Sequence, residues 1–270
     1  MPLVIVHNSH AAEIHSTQIS PIKTPTRETP RPKAPTLYDK PLSEKHLPLP
    51  RNPRFANDPN FANQKIEVAC FYYPGFMVKQ QVDSNNKGAD KLAITPFSSN
   101  LTPPICQSEA TADEKIISGN PDRVQDLWNG YFLGVKGPYV FFSADDGNLI
   151  RGINFAIFDS KDGKQLFTDD FGNGMDHDEM YAMQLSATDA LSLHYKRTYR
   201  LPCSPSTKDK AASLCQERIK KETGLRSLPS CARKYQEGDG IHYPVSVLLK
   251  KEKPPKLVPT QGKATCVPSI

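Results

Sequence analysis

Residues 130–144 read Gly-Tyr-Phe-Leu-Gly-Val-Lys-Gly-Pro-Tyr-Val-Phe-Phe-Ser-Ala, and 153–167 read Ile-Asn-Phe-Ala-Ile-Phe-Asp-Ser-Lys-Asp-Gly-Lys-Gln-Leu-Phe. Four short apolar runs are set apart by Lys-Gly-Pro, Asp-Asp-Gly and Lys-Asp-Gly. Glycine, proline and aspartate between β-branched and aromatic residues are the punctuation of a β-meander. The stretch 130–171 is rich in Phe and follows Trp128, the one tryptophan of the chain, so the main apolar core is expected here. Along 153–159, Phe155 and Ile157 alternate with Asn154 and Ala156. Phe155 and Ile157 therefore share the core face, and a slip of one residue would bring Ala156 and Phe158 inward instead.

Working outward, the cleanest period of two covers 190–203. Leu191, Leu193, Tyr195, Tyr199, Leu201 and Cys203 lie on one side of a half-buried antiparallel strand. Ser192, His194, Lys196, Thr198 and Arg200 lie on the other, where His194 is expected to face water. Arg197 interrupts the apolar side. Next, Ser206-x-x-Asp209 resembles a capping box, and Ala212, Cys215 and Ile219 recur at helical spacing. Gly224 stands where a left-handed cap belongs, so 207–223 is predicted as one amphipathic helix. A shorter helix is expected from Ser230, a strand at 244–249, and an edge segment from Lys256 to Val267.

Upstream, Ile66–Tyr72 and Phe76–Val82 flank Tyr73-Pro74-Gly75, a predicted hairpin, and 92–95 forms a further strand. Asn120-Pro121-Asp122 opens a short helix carrying Val124, Leu127 and Trp128 on one face. Asn100-Leu101-Thr102 matches a glycosylation sequon of low specificity.

Eleven of the 25 prolines fall within residues 1–65. Proline removes backbone donors and fixes φ, so 12–64 is expected to be a disordered, basic, Pro-rich tether. Met1-Pro-Leu-Val-Ile-Val6 followed by Ser9-His10-Ala11 has the look of a truncated signal-peptide remnant over 1–11. Residues 65–270 then form a single β-rich domain. The expected class is α+β, mainly β: an antiparallel meander or sandwich with one packed amphipathic helix, stapled by disulfides.

The six cysteines, Cys70, Cys106, Cys203, Cys215, Cys231 and Cys266, are widely spaced and contain no Cys-x-x-Cys pair. That excludes a zinc knuckle and favours disulfides in an oxidising compartment, periplasmic or secreted. At least one bond is expected among Cys203, Cys215 and Cys231, which the helix and its turns keep close. No apolar run approaches the ~20 residues of a membrane span. The net charge of +5 is a weak argument for any polyanion, and no nucleic-acid-binding signature is present.

Chemistry is sparse. Asp169-Asp170-Phe-Gly-Asn-Gly-Met-Asp176-His177-Asp178-Glu179 is the densest polar cluster. Asp170, Asp176, His177, Asp178 and Glu179 would form a metal site if the two glycines folded the loop around an ion, although EF-hand spacing is absent. A solvated acidic loop is the simpler reading, and no cofactor is expected. Asp159 and Asp162 read as turn formers. The chain has no Gly-x-Ser-x-Gly, no His-Glu-x-x-His and no phosphate-binding Gly-Lys-Ser, which leaves His177, His194 and His242 as isolated acid–base candidates.

Phe155-Ala-Ile-Phe-Asp159 through Phe167 resembles the last two strands of a quinoprotein-type propeller blade. It occurs once, without the ~40-residue repeat of a propeller. More broadly, 130–231 is similar to small exported bacterial proteins of unassigned activity. That resemblance implies export and a β-rich fold and carries over no catalytic residues. The expectation is an extracytoplasmic, non-catalytic protein that binds a protein or an envelope polymer. The alternative is a metal-assisted hydrolase built on the 169–179 loop.

Overall fold

Tyr73-Pro74-Gly75-Phe76 reverses the chain between β2 (Ile66–Tyr73) and β3 (Phe76–Asp83), with Gly75 at φ +84° in the left-handed region that glycine adopts freely. The computed structural model describes residues 37–51, 53, 58–86, 88–98, 100, 102–118, 130–144, 153–171, 180–205, 210–230, 237–250, 253–260 and 262–267. All of them belong to the compact unit Thr36–Ile270.

The first sheet runs in the order β1-β2-β3-β4-β5, antiparallel throughout, with β1 at Ser43–Leu49, β4 at Lys91–Pro96 and β5 at Lys115–Ser118. Strand β1 corrects the tether boundary, because the expectation of order near Ile66 placed 43–49 in an unstructured arm. A strand forms despite Pro48 because β1 is the sheet edge, where only alternate residues must bond to β2. Pro59–Phe61, in the same segment, forms a 3-10 turn capped by Asp58.

The second sheet contains the meander β6 (Phe132–Lys136), β7 (Tyr139–Ala144), β8 (Ile153–Asp159) and β9 (Gln165–Phe171). It continues through β11 (Leu191–Arg200) to β12 (Gly240–Lys250) and β13 (Lys253–Pro259). Strand β10 (Met180–Leu185) pairs β11, and β14 (Thr265–Val267) pairs β12. Asp159 and Asp162 are turn formers as expected: their carboxylates accept from the amides of Lys161 and Lys164, both at 2.9 Å. The single described helix, α1 (Lys210–Thr223), buries Ala212, Cys215 and Ile219, the spacing read from sequence. The helices expected near 121–129 and beyond Ser230 fall largely outside the described residues.

Two cores result. Tyr139, Phe141, Phe155 and Ile157 join Leu191, Leu193, Tyr195, the β12 face and α1 in one. Val140, Phe142, Ala156 and Phe158 join Tyr73, Phe76, Val78, Leu92 and Ile94 of the first sheet in the other. Strand β8 is therefore covered on both faces, which corrects the one-sided reading of 153–159. Phe155 and Ile157 do share a face, but Phe158 is nearly as buried, at 5 % exposed against 0 % for Phe155. The first sheet packs where solvent was expected.

Disulfides join Cys70 to Cys106 and Cys203 to Cys215, and Cys266 is also disulfide-bonded. Cys203–Cys215 is one of the bonds expected, tying the end of β11 to α1. Cys70–Cys106 holds the 102–114 loop against the first sheet. There Lys79, itself buried, reaches Glu114 at 2.6 Å and the Glu109 carbonyl at 2.9 Å. No helix among the described residues is long and apolar enough to cross a membrane.

Candidate functional site

The two turns that punctuate the sequence, Tyr73-Pro74-Gly75 and Lys136-Gly137-Pro138, converge. Between them lies a half-open cleft of ≈ 350 Å³, which Asp39, Lys40, Leu42, Val135 and Ser160 complete. The strap at 38–42 is tied down by geometry that only glycine permits. A Cβ on Gly134 would collide with the Tyr38 ring, which in turn packs edge-on against Phe141 at 5.4 Å. Gly137, at φ +55°, leaves no room for a side chain beside Leu185. The Asp39 carboxylate accepts from Lys136 Nζ at 2.9 Å and from the Gly137 amide at 2.7 Å, while its own amide donates to the Val135 carbonyl at 2.8 Å.

The floor is apolar. Tyr73 and Phe76 stack at 5.3 Å with ring planes 13° apart. Burial, reinforced by Glu44 and Asp39, raises the Tyr73 hydroxyl to about 12, so it remains a neutral donor. Leu42 projects from the rim, 72 % exposed. No His, Cys or Glu lines the cleft. Asp39, the one carboxylate in the lining, accepts from Lys136 and from the Gly137 amide. Such a surface can shelter a ring, a proline or an aliphatic segment, and orient it through Lys40 and Ser160.

A second polar cluster lies where the acidic stretch begins. Asp169 on β9 accepts from the Tyr195 hydroxyl and from Arg197 Nε, the latter at 2.8 Å. Arg197 Nη1 donates to the Tyr243 hydroxyl at 2.9 Å. Burial and the Asp169 charge push the Tyr195 hydroxyl far up. The interruption at Arg197 is thereby explained: the guanidinium occupies a core-facing position because a buried carboxylate meets it there. Every member satisfies another, which makes this a structural network.

Of the residues proposed as metal ligands, Asp170 lies on β9, whereas Asp176, His177, Asp178 and Glu179 lie outside the described residues. Among the described residues no group of three or more His, Cys, Asp and Glu is placed to hold a metal ion. His194 is half-buried, not fully exposed, with Nε2 at 3.4 Å from Ser192 Oγ. His242 is buried and lowered to about 4 by desolvation and then by Lys196, so it is neutral at pH 7. The sequence reading missed Asp39, Lys40 and Leu42 because it assigned them to the tether. It identified both turns, but spacing gives no sign that turns so far apart in sequence face each other across one cleft.

No protein-family model, curated protein or solved structure matches this chain.

Proposed function

We propose that this chain is an extracytoplasmic, non-catalytic binding protein whose cleft holds an apolar or ring-bearing segment of a protein or envelope polymer. The observation that carries the reading is the lining of the ≈ 350 Å³ cleft: stacked aromatic rings, two prolines and a projecting leucine, with no His, Cys or Glu. Aromatic and proline walls favour extended, pre-ordered ligands, whose conformational entropy is already low. The disulfides Cys70–Cys106 and Cys203–Cys215, with Cys266 also bonded, support an oxidising location, periplasmic or secreted.

Titration calorimetry of the oxidised full chain against proline-rich and aromatic peptides and envelope glycan fragments tests this. Wild type should bind one class, and Leu42→Asp should abolish that binding while leaving the melting temperature unchanged. Hydrolysis of any panel member by the wild type would overturn the non-catalytic reading.

A further inference from the structure

The second sheet has another surface, on the side of β10–β14 turned away from α1. Its described outward positions are Ala182 and Gln184 on β10, then Ser192, His194, Lys196, Thr198 and Arg200 on β11. Beside them stand Pro244, Ser246, Leu248 and Lys250 on β12, while Thr198 and its partner His242 point to the same side but are buried. Register continues the face across β13, where Lys256 pairs Leu248, Val258 pairs Ser246 and Lys253 pairs Lys250. Inward neighbours Leu193, Tyr195, Tyr243, Val245 and Val247 belong to the core, which fixes the direction of the alternation.

No Asp or Glu occupies any of these described outward positions. The nearest carboxylate by register is Asp170, on the neighbouring β9. Lys196, Arg200, Lys250, Lys253 and Lys256 make no ion pair among the described residues, and all but Lys196 are exposed. Lys250 and Lys253 stand directly opposite each other, a like-charge cross-strand pair that costs stability on its own. At ~3.3 Å per residue the five cations extend over about 30 Å.

We propose that this face binds a linear anionic polysaccharide. Cations distributed along about 30 Å suit a polymer of repeated anions rather than one small ion, and relieve the Lys250–Lys253 repulsion. Ser192, Ser246 and Gln184, between the charges, offer hydrogen bonds to sugar hydroxyls. The described outward positions hold no Phe, Tyr or Trp ring on which bases would stack, which disfavours single-stranded nucleic acid. Only Leu248 and Val258 project as aliphatics, 40 % and 43 % exposed, too small an apolar patch to enter a bilayer interface. The inference rests on the reading of the chain as a binding protein, names a ligand class for it, and uses a different surface from the cleft.

The test uses the oxidised full chain on immobilised heparin at 0.15 M salt, with polygalacturonate, duplex DNA and vesicles containing phosphatidylglycerol as soluble competitors. Wild type should be retained and displaced best by polygalacturonate. K250E/K253E/K256E should weaken heparin binding about tenfold or more, and should reduce the slope of log affinity against log salt by about 2–3. K161E/K164E, reversing two exposed lysines at the β8–β9 turn, should be retained like wild type. The inference is overturned if wild type is not retained, if the two variants weaken equally, or if DNA or vesicles compete best. Leu42→Asp should keep heparin binding; its loss in that variant alone would move the ligand to the cleft, rejecting this face while sparing the binding-protein reading.

Discussion

Arg197 donates through Nε to Asp169 Oδ1 at 2.8 Å, bridging the meander to the long β11–β12 ribbon at a junction where, among the described residues, β9 and β11 share the one register pair Arg197↔Phe171. The Asp169 side chain is 8 % exposed and that of Arg197 22 %, so the pair is largely desolvated. Removing one partner leaves the other charge buried and unpaired. Asp169→Ala should therefore cost about 3 kcal/mol or more, whereas the double variant Asp169→Leu/Arg197→Met should recover much of it. Urea unfolding of both variants measures this, and equal loss in the two would reject a purely charge-based account.

Strand β8 supplies the second prediction. Phe155→Ala and Phe158→Ala each open a cavity in a different core, and each should cost about 3–5 kcal/mol. Lys161→Ala, exposed at the adjoining turn, should stay within about 0.5 kcal/mol. Thermal melts distinguish the two-sided strand from a one-sided one, in which Phe158→Ala would be mild.

The disulfides differ in the loops they close. Cys203–Cys215 spans 12 residues and Cys70–Cys106 spans 36, so loop entropy assigns them about 3 and about 4 kcal/mol. Double Cys→Ser variants should show both losses in denaturant midpoints. Loss of Cys70–Cys106 should also speed amide exchange in 102–114, where only the polar ties from Tyr72, Lys79 and Lys91 to Pro104, Ser108, Glu109 and Glu114 would then hold the loop.

His242 sets a pH dependence. Its folded pKa is lowered to about 4, first by burial and then by Lys196, against ~6.5 in the unfolded chain. Between those values the unfolded state binds more protons, so this contribution is complete above pH ~6.5 and is lost as pH falls through about 4. The loss reaches up to about 3 kcal/mol. Stability of wild type should drop between pH 7 and 4 by more than that of His242→Gln; parallel curves would show that His242 is not the titrating group.

The sequence alone determined the local architecture. Turn chemistry at Tyr73-Pro74-Gly75 and Asp159–Gly163 set two hairpins, period-two alternation defined β11, and the 212/215/219 spacing defined α1, because these signals depend on neighbours a few residues apart. It also favoured disulfides from cysteine count and spacing. Only the tertiary structure decided what covers each face. Sequence cannot show that Phe158 meets Phe142 of β7 in a core closed by the first sheet, since a doubly covered strand differs from a half-exposed one only in what packs from afar. The same holds for the sites. Arg197 was visible as an anomaly, but its carboxylate stands 28 residues away. The cleft joins Leu42, Tyr73 and Pro138 across two sheets. The face whose described positions carry no acid emerges only when register aligns β11, β12 and β13, because local spacing carries no information about which distant strands become neighbours.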